Sequence, residues 1–201
     1  MKHYIDITLL PDAEANLGFL WQKVFQQVHI ALVENKIADN ESAVALSIVG
    51  YGDKDFLLGD KLRLLANSEE ALQKLDIHRW LNRLTDYCHI KAIKPVPGHV
   101  SHYACFKRKP VKSIEKKAQR RAQHLNKPYE EVLAYLLKEG KSIKSELPFI
   151  NVESQETKKT AEQGVSARFL LFIEKNISDQ PVEGKFDCYG LSKTATVPCW
   201  D

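Results

Sequence analysis

A histidine on a predicted amphipathic helix is the residue of this sequence best suited to acid–base chemistry. Projection of that helix at about 100° per residue places His29 roughly 40° beyond Phe25, at the edge of the apolar stripe, where a side chain can be half exposed. Because the unperturbed pKa of imidazole lies near neutrality, His29 could remove a proton from a ribose 2′-hydroxyl or protonate a leaving oxygen. An isolated histidine at a core margin is more often a packing residue, so this chemistry needs support from other residues.

A second candidate feature is the basic segment at 107–127. Nine basic residues against one acid, Glu115, give it a local charge of +8 in a chain whose net charge is +3. The rest of the chain is therefore acidic, and positive charge concentrated in one place predicts a polyanionic partner, with nucleic acid as the first candidate. A solvated lysine-rich surface is the alternative, and a membrane surface is disfavoured because few large apolar residues lie opposite the charges. The basic residues are Lys107, Arg108, Lys109, Lys112, Lys116, Lys117, Arg120, Arg121 and Lys127.

Two further groups of side chains could be imagined as metal ligands. His99, His102 and Cys105 repeat at three-residue spacing, but in an extended segment such side chains do not converge, and no fourth ligand stands nearby. The aspartates of the 53–60 loop could bind Mg²⁺, although a polar loop between strands explains them better. We therefore expect neither a metal nor another cofactor.

The elements that position His29 alternate between strand and helix over the first hundred residues. Tyr4 to Leu9 alternate polar and apolar side chains, and Asn67 and Ser68 can cap a helix that follows them. The predicted order of strand, helix, strand, strand, helix, strand is that of the ferredoxin-like fold, which RNA-recognition modules also use. The predicted elements are strand 4–9, helix 15–35, strands 44–50 and 61–66, helix 69–84 and strand 89–96.

The second half supplies the element that carries the basic charge. Between Ser113 and His124 basic residues recur at three- and four-residue intervals along one stripe, which predicts a helix that Ser113 can cap. Like charges at that spacing repel unless a partner supplies counter-charge, and a helix with arginines on one side can lie in the major groove of a duplex. A further helix is predicted at 129–139, and strands are predicted at 147–153, 167–174 and 185–191.

These elements predict an α+β protein with a boundary at Pro97 and Gly98. We expect residues 1–97 to form a ferredoxin-like domain that contains His29. Residues 98–201 are expected to form a C-terminal α+β region with the basic helix and further strands. At 201 residues and 44% hydrophobic composition, the chain is long enough for one large core or two small ones.

The sequence also limits the compartment. It contains no apolar run of roughly 18 residues, and its first residues enter a strand rather than a signal peptide. The four cysteines, Cys88, Cys105, Cys188 and Cys199, include no CxxC pair. We therefore expect a soluble, cytoplasmic protein with reduced thiols and no membrane partner.

Four separated stretches carry a family resemblance in the right order: 1–12 (MKHYIDITLLPD), 24–33 (VFQQVHIALV), 147–173 and 188–193 (CYGLSK). The chain resembles, nearly end to end, the repeat-processing endoribonucleases of type I-F CRISPR systems. The resemblance implies an enzyme that binds the hairpin of a CRISPR repeat transcript, cuts once at its base without metal, and stays bound to the product. It also implies, as partners, the other subunits of the type I-F RNA-guided surveillance complex.

The same resemblance implies roles for individual residues. In that family a histidine activates the 2′-hydroxyl beside the scissile phosphate, leaving a cyclic phosphate and a 5′-hydroxyl, and this role falls on His29. Ser154 would position the ribose, and Tyr189 would orient the imidazole through a phenol OH in hydrogen-bond reach. Phe169 matches an aromatic that stacks near the hairpin. RNA contacts are implied for Arg108, Lys116, Lys117, Gln119, Arg120 and Arg121, and the family's base readers fall near His102.

Two alternatives stay open on the sequence. One is a non-catalytic subunit that holds structured RNA with the basic helix, for which alanine at His29 would change no activity. The other is a metal-dependent nuclease that uses the 53–60 aspartates, and a chelator would inhibit it.

Overall fold

The computed structural model describes residues 1–110, 114–138, 146–153 and 168–200. Over these ranges the protein is α+β, with its strands in two antiparallel sheets. In chain order the elements are β1 (His3–Leu9), α1 (Leu17–Glu34), β2 (Val44–Ile48), β3 (Lys61–Ala66), α2 (Glu69–Leu75), α3 (Ile77–Trp80), β4 (Cys88–Ile90), β5 (Lys94–Pro95), β6 (His102–Arg108), α4 (Ile114–Leu125), α5 (Tyr129–Lys138), β7 (Phe149–Glu153), β8 (Arg168–Ser178) and β9 (Val197–Cys199).

The first sheet has the strand order β2-β3-β1-β4, and β5 also pairs with β1. The predicted order of strand, helix, strand, strand, helix, strand is present, but two predicted elements are divided. The helix predicted at 69–84 is broken because Asp76 has a left-handed backbone, with φ of +46°, which ends α2 and begins α3. The strand predicted at 89–96 is two short strands, β4 and β5.

The helix α1 is fixed at both ends by asparagine side chains. The Asn16 side chain accepts a hydrogen bond from the Phe19 N–H, and the Asn35 amide donates to the Ala31 carbonyl at 3.0 Å. Its apolar stripe is buried, and the Trp21 indole N–H donates to a backbone carbonyl of the 53–60 loop at 2.8 Å. Because the helix is fixed at its ends and along its apolar stripe, the direction in which each other residue projects from the helix axis is fixed as well.

The second sheet has the strand order β7-β8-β6-β9. The prediction of a strand at 185–191 was wrong. The strand that pairs with β6 is β9 at Val197–Cys199. Residues 187–191 form a turn instead, in which the Asp187 N–H donates to the Leu191 carbonyl at 2.8 Å. Backbone groups that form hydrogen bonds within the turn are not available to a strand ladder.

The described chain forms two compact units, Met1–Arg108 with Pro148–Asp201, and Lys109–Leu147. The first unit contains both sheets with α1, α2 and α3, and the second contains α4 and α5. The predicted division into 1–97 and 98–201 does not coincide with these units, and it stays a prediction about the roles of the two halves.

One apolar core of the first unit joins side chains from α1 and both sheets. Phe25, Ile7, Leu46, Ile150 and Leu171 are all buried in it. The helix α1 contacts β7, and β2 contacts both β6 and β9. The two sheets therefore share one hydrophobic interior, into which α1 packs its apolar stripe.

The four cysteines are buried free thiols. Burial raises the pKa of each thiol above its ordinary value, so all four stay protonated at neutral pH. Within the described ranges, no helix has both the length and the apolar character that crossing a bilayer requires.

Candidate active site

His29 is held at the edge of the α1 apolar stripe, where the helical projection predicted it. The residue is half-buried, and its Nδ1 lies 2.8 Å from the Cys188 carbonyl oxygen. A carbonyl can only accept a hydrogen bond, so Nδ1 must carry the proton. In the neutral ring the lone pair then lies on Nε2, the nitrogen that faces away from this hydrogen bond.

The imidazole also stacks on Tyr189. The two ring centroids are 4.1 Å apart and the planes differ by 3°, while Phe25 lies parallel on the same Tyr189 ring at 6.3 Å. His29 and Tyr189, the predicted pair, are thus in contact by face-to-face stacking. The hydrogen bond that fixes the imidazole is the one that its Nδ1–H donates to the Cys188 carbonyl.

The turn at 187–191 delivers both of these contacts. The Asp187 Oδ1 accepts hydrogen bonds from the Tyr189 N–H at 2.8 Å and the Leu191 N–H at 3.0 Å. The Gly190 N–H donates to the Asp187 carbonyl at 2.8 Å, and the Gly190 carbonyl accepts from the Leu46 N–H at 2.8 Å. The turn is therefore closed on itself and attached to β2 in the core.

Glycine is required at position 190 for two reasons. Its φ is +72°, in the region that L side chains rarely adopt, and a Cβ added there would lie 2.7 Å from the Leu46 Cβ and 3.1 Å from the Leu46 N. Any larger residue would strain the backbone and push the turn away from β2.

Arg108 and Phe169 lie beside this pair. The Arg108 guanidinium is 5.3 Å from the centroid of the Phe169 ring and 5.9 Å from that of the Tyr189 ring. Arg108 ends β6 and is exposed, and Phe169 lies near the start of β8 and is half-buried. The structure therefore brings His29, Tyr189, Arg108 and Phe169 into one cluster of imidazole, aromatic rings and a fixed positive charge.

Two pKa shifts describe the electrostatics of the cluster. Burial lowers the pKa of His29 below its ordinary value, against the opposing effects of the Cys188 carbonyl and the Asp187 charge. Burial raises the pKa of Asp187, while the hydrogen bonds from Leu191 and Tyr189, the imidazolium form of His29 and the charge of Arg108 oppose the rise. His29 is therefore uncharged at neutral pH, the state that can accept a proton.

The other predicted residues of the first unit are not all near this cluster. His102 begins β6, and the six residue steps that separate it from Arg108 span about 20 Å in an extended strand. His102 is half-buried, and its Nε2 is buried with no hydrogen-bond partner among the described residues. Ser154 lies outside the described residues, so the third predicted catalytic position has no geometry here.

The remaining predicted RNA-binding residues lie on α4, in the second unit. Ala118 and Ala122 are buried against Val132 and Leu136 of α5, so one face of α4 is its packing face. Of the predicted residues, Gln119, Arg120 and Arg121 are exposed and Lys117 is half-buried; Lys116 has a described backbone only. The Arg121 guanidinium lies 5.2 Å from the Tyr135 ring centroid, so Arg121 also takes part in the α4–α5 contact.

The aspartates weighed as metal ligands serve their own loop. The Asp53 Oδ1 accepts hydrogen bonds from the Asp55 N–H at 2.8 Å and the Phe56 N–H at 3.3 Å. Where the chain is described, no group of three or more His, Cys, Asp or Glu side chains is arranged to hold a metal ion.

Sequence reasoning missed the Cys188 carbonyl and Asp187. A backbone carbonyl is common to every residue, so no residue type indicates it. Asp187 did carry a signal, since aspartate at the first position and glycine at the fourth, here Gly190, are typical of a type I turn. That spacing favours a turn over the predicted strand.

Known proteins resemble this chain along its whole length. The family model for CRISPR-associated protein (Cas_Csy4) matches residues 4–200. A protein of Escherichia coli (strain UTI89 / UPEC) named CRISPR-associated endonuclease Cas6/Csy4 is 32% identical over 199 residues, which are 98% of this chain and 99% of that protein. A protein of the same name from Pseudomonas aeruginosa (strain UCBPP-PA14) is 30% identical with the same coverage. This chain therefore belongs to the Cas_Csy4 family of CRISPR-associated proteins.

Proposed function

We propose that this protein is a metal-independent endoribonuclease that binds the hairpin of CRISPR repeat transcripts and cleaves at its base. Its two relatives are named CRISPR-associated endonucleases, which supports a nuclease activity on CRISPR RNA. The observation that carries the mechanism is the hydrogen bond from His29 Nδ1–H to the Cys188 carbonyl, because it leaves Nε2 as an unprotonated base.

The reaction follows from that base. His29 Nε2 takes the proton of the ribose 2′-hydroxyl, and the 2′-oxygen attacks the adjacent phosphorus. The new bond joins phosphorus to the 2′-oxygen, and the bond from phosphorus to the 5′-oxygen breaks. The products are a 2′,3′-cyclic phosphate and a 5′-hydroxyl, whose oxygen takes up a proton as it leaves. Tyr189 keeps the imidazole in plane by stacking, and Ser154 positions the ribose.

The cluster beside His29 supports an RNA substrate as well. Arg108 carries a positive charge over Phe169, and this pair can hold a phosphate and a stacked base near the imidazole. Stacking of one base on an aromatic side chain contributes about 1–3 kcal/mol.

We assign hairpin binding to α4. The exposed residues Arg120 and Arg121 are the main groove contacts, and Lys116, Lys117 and Gln119 add phosphate contacts. The helix α4 packs through its alanines, so its charged face is available to a polyanion, which supports this assignment. His102 lies at the far end of β6 from the cluster, so its contribution would be to RNA that extends along that strand.

The architecture and setting are proposed on the same basis. The strand order β2-β3-β1-β4 supports a ferredoxin-like arrangement for residues 1–97, which supply the base, and residues 98–201 supply most of the RNA contacts. The mature product stays bound, and the protein then acts in the cytoplasm as a subunit of a type I-F surveillance complex.

The test is cleavage of the cognate repeat RNA in excess EDTA. Wild type should cut, and His29→Ala and a substrate with a 2′-deoxy ribose at the cut should each lose cleavage while hairpin binding persists. Tight binding without cleavage by the wild type would make the protein an RNA-holding subunit. Cleavage that EDTA abolishes would indicate a metal-dependent nuclease.

A further inference from the structure

We propose that Asp187 is a positioning residue for His29, because its carboxylate holds the 187–191 turn in the conformation that presents the Cys188 carbonyl and the Tyr189 ring to the imidazole. The inference rests on the proposed function for its effect on cleavage. Its structural part concerns only the His29 ring, and it can be measured without any RNA.

The hydrogen bonds of the turn carry the proposal. Asp187 Oδ1 accepts from the Tyr189 N–H and the Leu191 N–H, so one oxygen atom joins the residue that stacks on His29 to the end of the turn. Cys188 lies between Asp187 and Tyr189, and its carbonyl accepts from His29 Nδ1. Removal of the Oδ1 acceptor would leave two N–H groups without that partner at the place where the carbonyl direction is set.

The charge of Asp187 has a separate effect. Arg108 on β6 attracts this carboxylate, and so does His29 on α1 when its imidazole is protonated. The atom in contact with His29 Nδ1 is nevertheless an uncharged carbonyl oxygen. A neutral hydrogen-bond partner raises the imidazole pKa less than a carboxylate in direct contact would. The nearby Asp187 carboxylate limits the lowering of the His29 pKa that burial causes.

Two substitutions separate these effects. Asp187→Asn keeps an oxygen acceptor of the same shape and removes the charge. Asp187→Ala removes both, and Asp187→Ser, which keeps a shorter acceptor, replaces it if the alanine variant does not fold. The matched control is Asp179→Ala, an exposed aspartate in the loop that follows β8.

The first measurement is NMR of the His29 ring nitrogens in the free full-length protein as a function of pH. Wild type and Asp187→Asn should show one neutral tautomer with the proton on Nδ1, and the asparagine variant should have a lower imidazole pKa. Asp187→Ala should show a mixture of tautomers, and Asp187→Ser a smaller mixture. A single Nδ1–H tautomer in a folded Asp187→Ala or Asp187→Ser variant would overturn the proposal.

The second measurement is single-turnover cleavage of the repeat hairpin with its dissociation constant. Asp187→Ala should lower the rate constant by about 10- to 100-fold, the usual effect of removing a group that orients another, with the dissociation constant unchanged. At pH 8 Asp187→Asn and Asp179→Ala should cleave within roughly threefold of wild type. If the tautomer changes as expected but the wild type does not cleave, the proposed function fails and the positioning role stands. If the wild type cleaves and the alanine variant matches it, Asp187 has no positioning role.

Discussion

The charge state of His29 depends on burial and on two neighbours, which act in opposite directions. Burial disfavours the imidazolium, whereas the Cys188 carbonyl and the Asp187 carboxylate favour it, and burial dominates. Because the pKa of His29 is lowered, the ring is neutral throughout the neutral pH range. A general base must be unprotonated before it acts, so on the proposed mechanism this shift should keep cleavage active at mildly acidic pH.

The cleavage rate constant should therefore rise with pH through a single pKa below 6.5 and stay level from there to about pH 8. His29→Ala should lower the plateau by about 10²- to 10⁴-fold, the range that a general base contributes. The measurement is single-turnover cleavage from pH 4.5 to 8.5 in constant ionic strength. A midpoint at or above 7 would contradict the assignment of a buried, neutral base.

The same shift acts on stability with a definite sign. The folded pKa of His29 lies below its unfolded value near 6.5, so the unfolded chain binds more protons in that interval. The free energy of unfolding should consequently be at its full value above pH 6.5. It should fall as the pH decreases from 6.5 towards the folded pKa of His29. Urea unfolding at pH 7.5 and 5.5 checks this, and His29→Gln, which does not titrate, should show a smaller loss between the two pH values.

At the residue scale, the position of His29 on its helix could be predicted from the sequence. The backbone carbonyl that fixes its ring could not. The position of His29 at the margin of the apolar stripe follows from the period of the helix alone. Its partner is a carbonyl 159 positions away, and neither the distance nor the atom type has a sequence signal. The family resemblance identified Tyr189, but the stacking geometry came only from the structure.

Two elements would position the proposed chemistry and the proposed binding surface, and each depends on small residues. The turn at 187–191 is attached to β2 through Gly190, and α4 packs on α5 through Ala118 and Ala122. Small side chains allow close approach in both cases, so larger ones would displace a functional face without altering it directly.

Substitution of Gly190 tests the first contact. Gly190→Ala should destabilise the protein by about 2–4 kcal/mol, because left-handed strain adds to the clash with Leu46, and should lower cleavage as the turn moves. Gly52→Ala is the matched control, since Gly52 also has positive φ, +90°, but no atom within 4 Å of the added Cβ. The control should lose only about 1–2 kcal/mol, the cost of the strain. Equal losses in urea unfolding would show that the clash is absent.

The charged face of α4 should make hairpin binding depend on the salt concentration. Arg120→Ala should weaken hairpin binding and reduce the slope of log K against log salt concentration by about 1, because fewer counterions are released. Arg121→Ala should do the same and also loosen the contact with Tyr135. Arg79→Ala, an exposed arginine of α3, is the control and should retain the slope. The assay is filter binding or anisotropy over a salt series with a non-cleavable 2′-deoxy hairpin, and an unchanged slope for Arg120→Ala would reject its phosphate contact.

Elements with a strong period were predicted within a few residues, as for α1, α4 and α5. Two of the failures occurred where one or two residues changed the backbone. Asp76 divided a predicted helix, and Asp187 with Gly190 replaced a predicted strand by a turn. Residues 185–191 have the apolar content of a strand, but local hydrogen bonds of an aspartate side chain competed with the ladder and prevailed.

At the scale of the whole molecule, a buried ion pair joins the first sheet to the end of the described chain. The Arg63 Nε lies 2.6 Å from Asp6 Oδ1, and its Nη1 donates to the Trp200 carbonyl at 3.2 Å. The guanidinium also lies 3.8 Å from the Trp200 ring centroid and 4.9 Å from that of Tyr4. Strands β1 and β3 are thus linked to the residue that directly follows β9.

Removal of one partner of this pair should be costly. Asp6→Ala should destabilise the protein by about 3–5 kcal/mol, because it leaves the Arg63 charge buried without its carboxylate. The control is Glu41→Ala, whose carboxylate lies 2.7 Å from Lys185 Nζ but whose partner is exposed, and it should cost at most about 1 kcal/mol. Urea unfolding at constant pH measures both, and a loss under about 1 kcal/mol for Asp6→Ala would contradict a structural role.

The organisation of the units could not be derived from composition. Pro97 and Gly98 are a local signal for a boundary, but β6 pairs with β8 and β9, which follow α4 and α5 in the chain. Long-range strand pairing leaves no trace in the residues between the strands. The division at residues 97 and 98 stays a prediction about the roles of the two halves.

The path of the chain has a consequence for its synthesis. A ribosome produces α1 before the 187–191 turn, so His29 exists for a time without its carbonyl partner and without Tyr189. During that time β6 also lacks β8 and β9. On the proposed mechanism, the growing polypeptide should therefore be unable to cleave RNA until the 187–191 turn has been made.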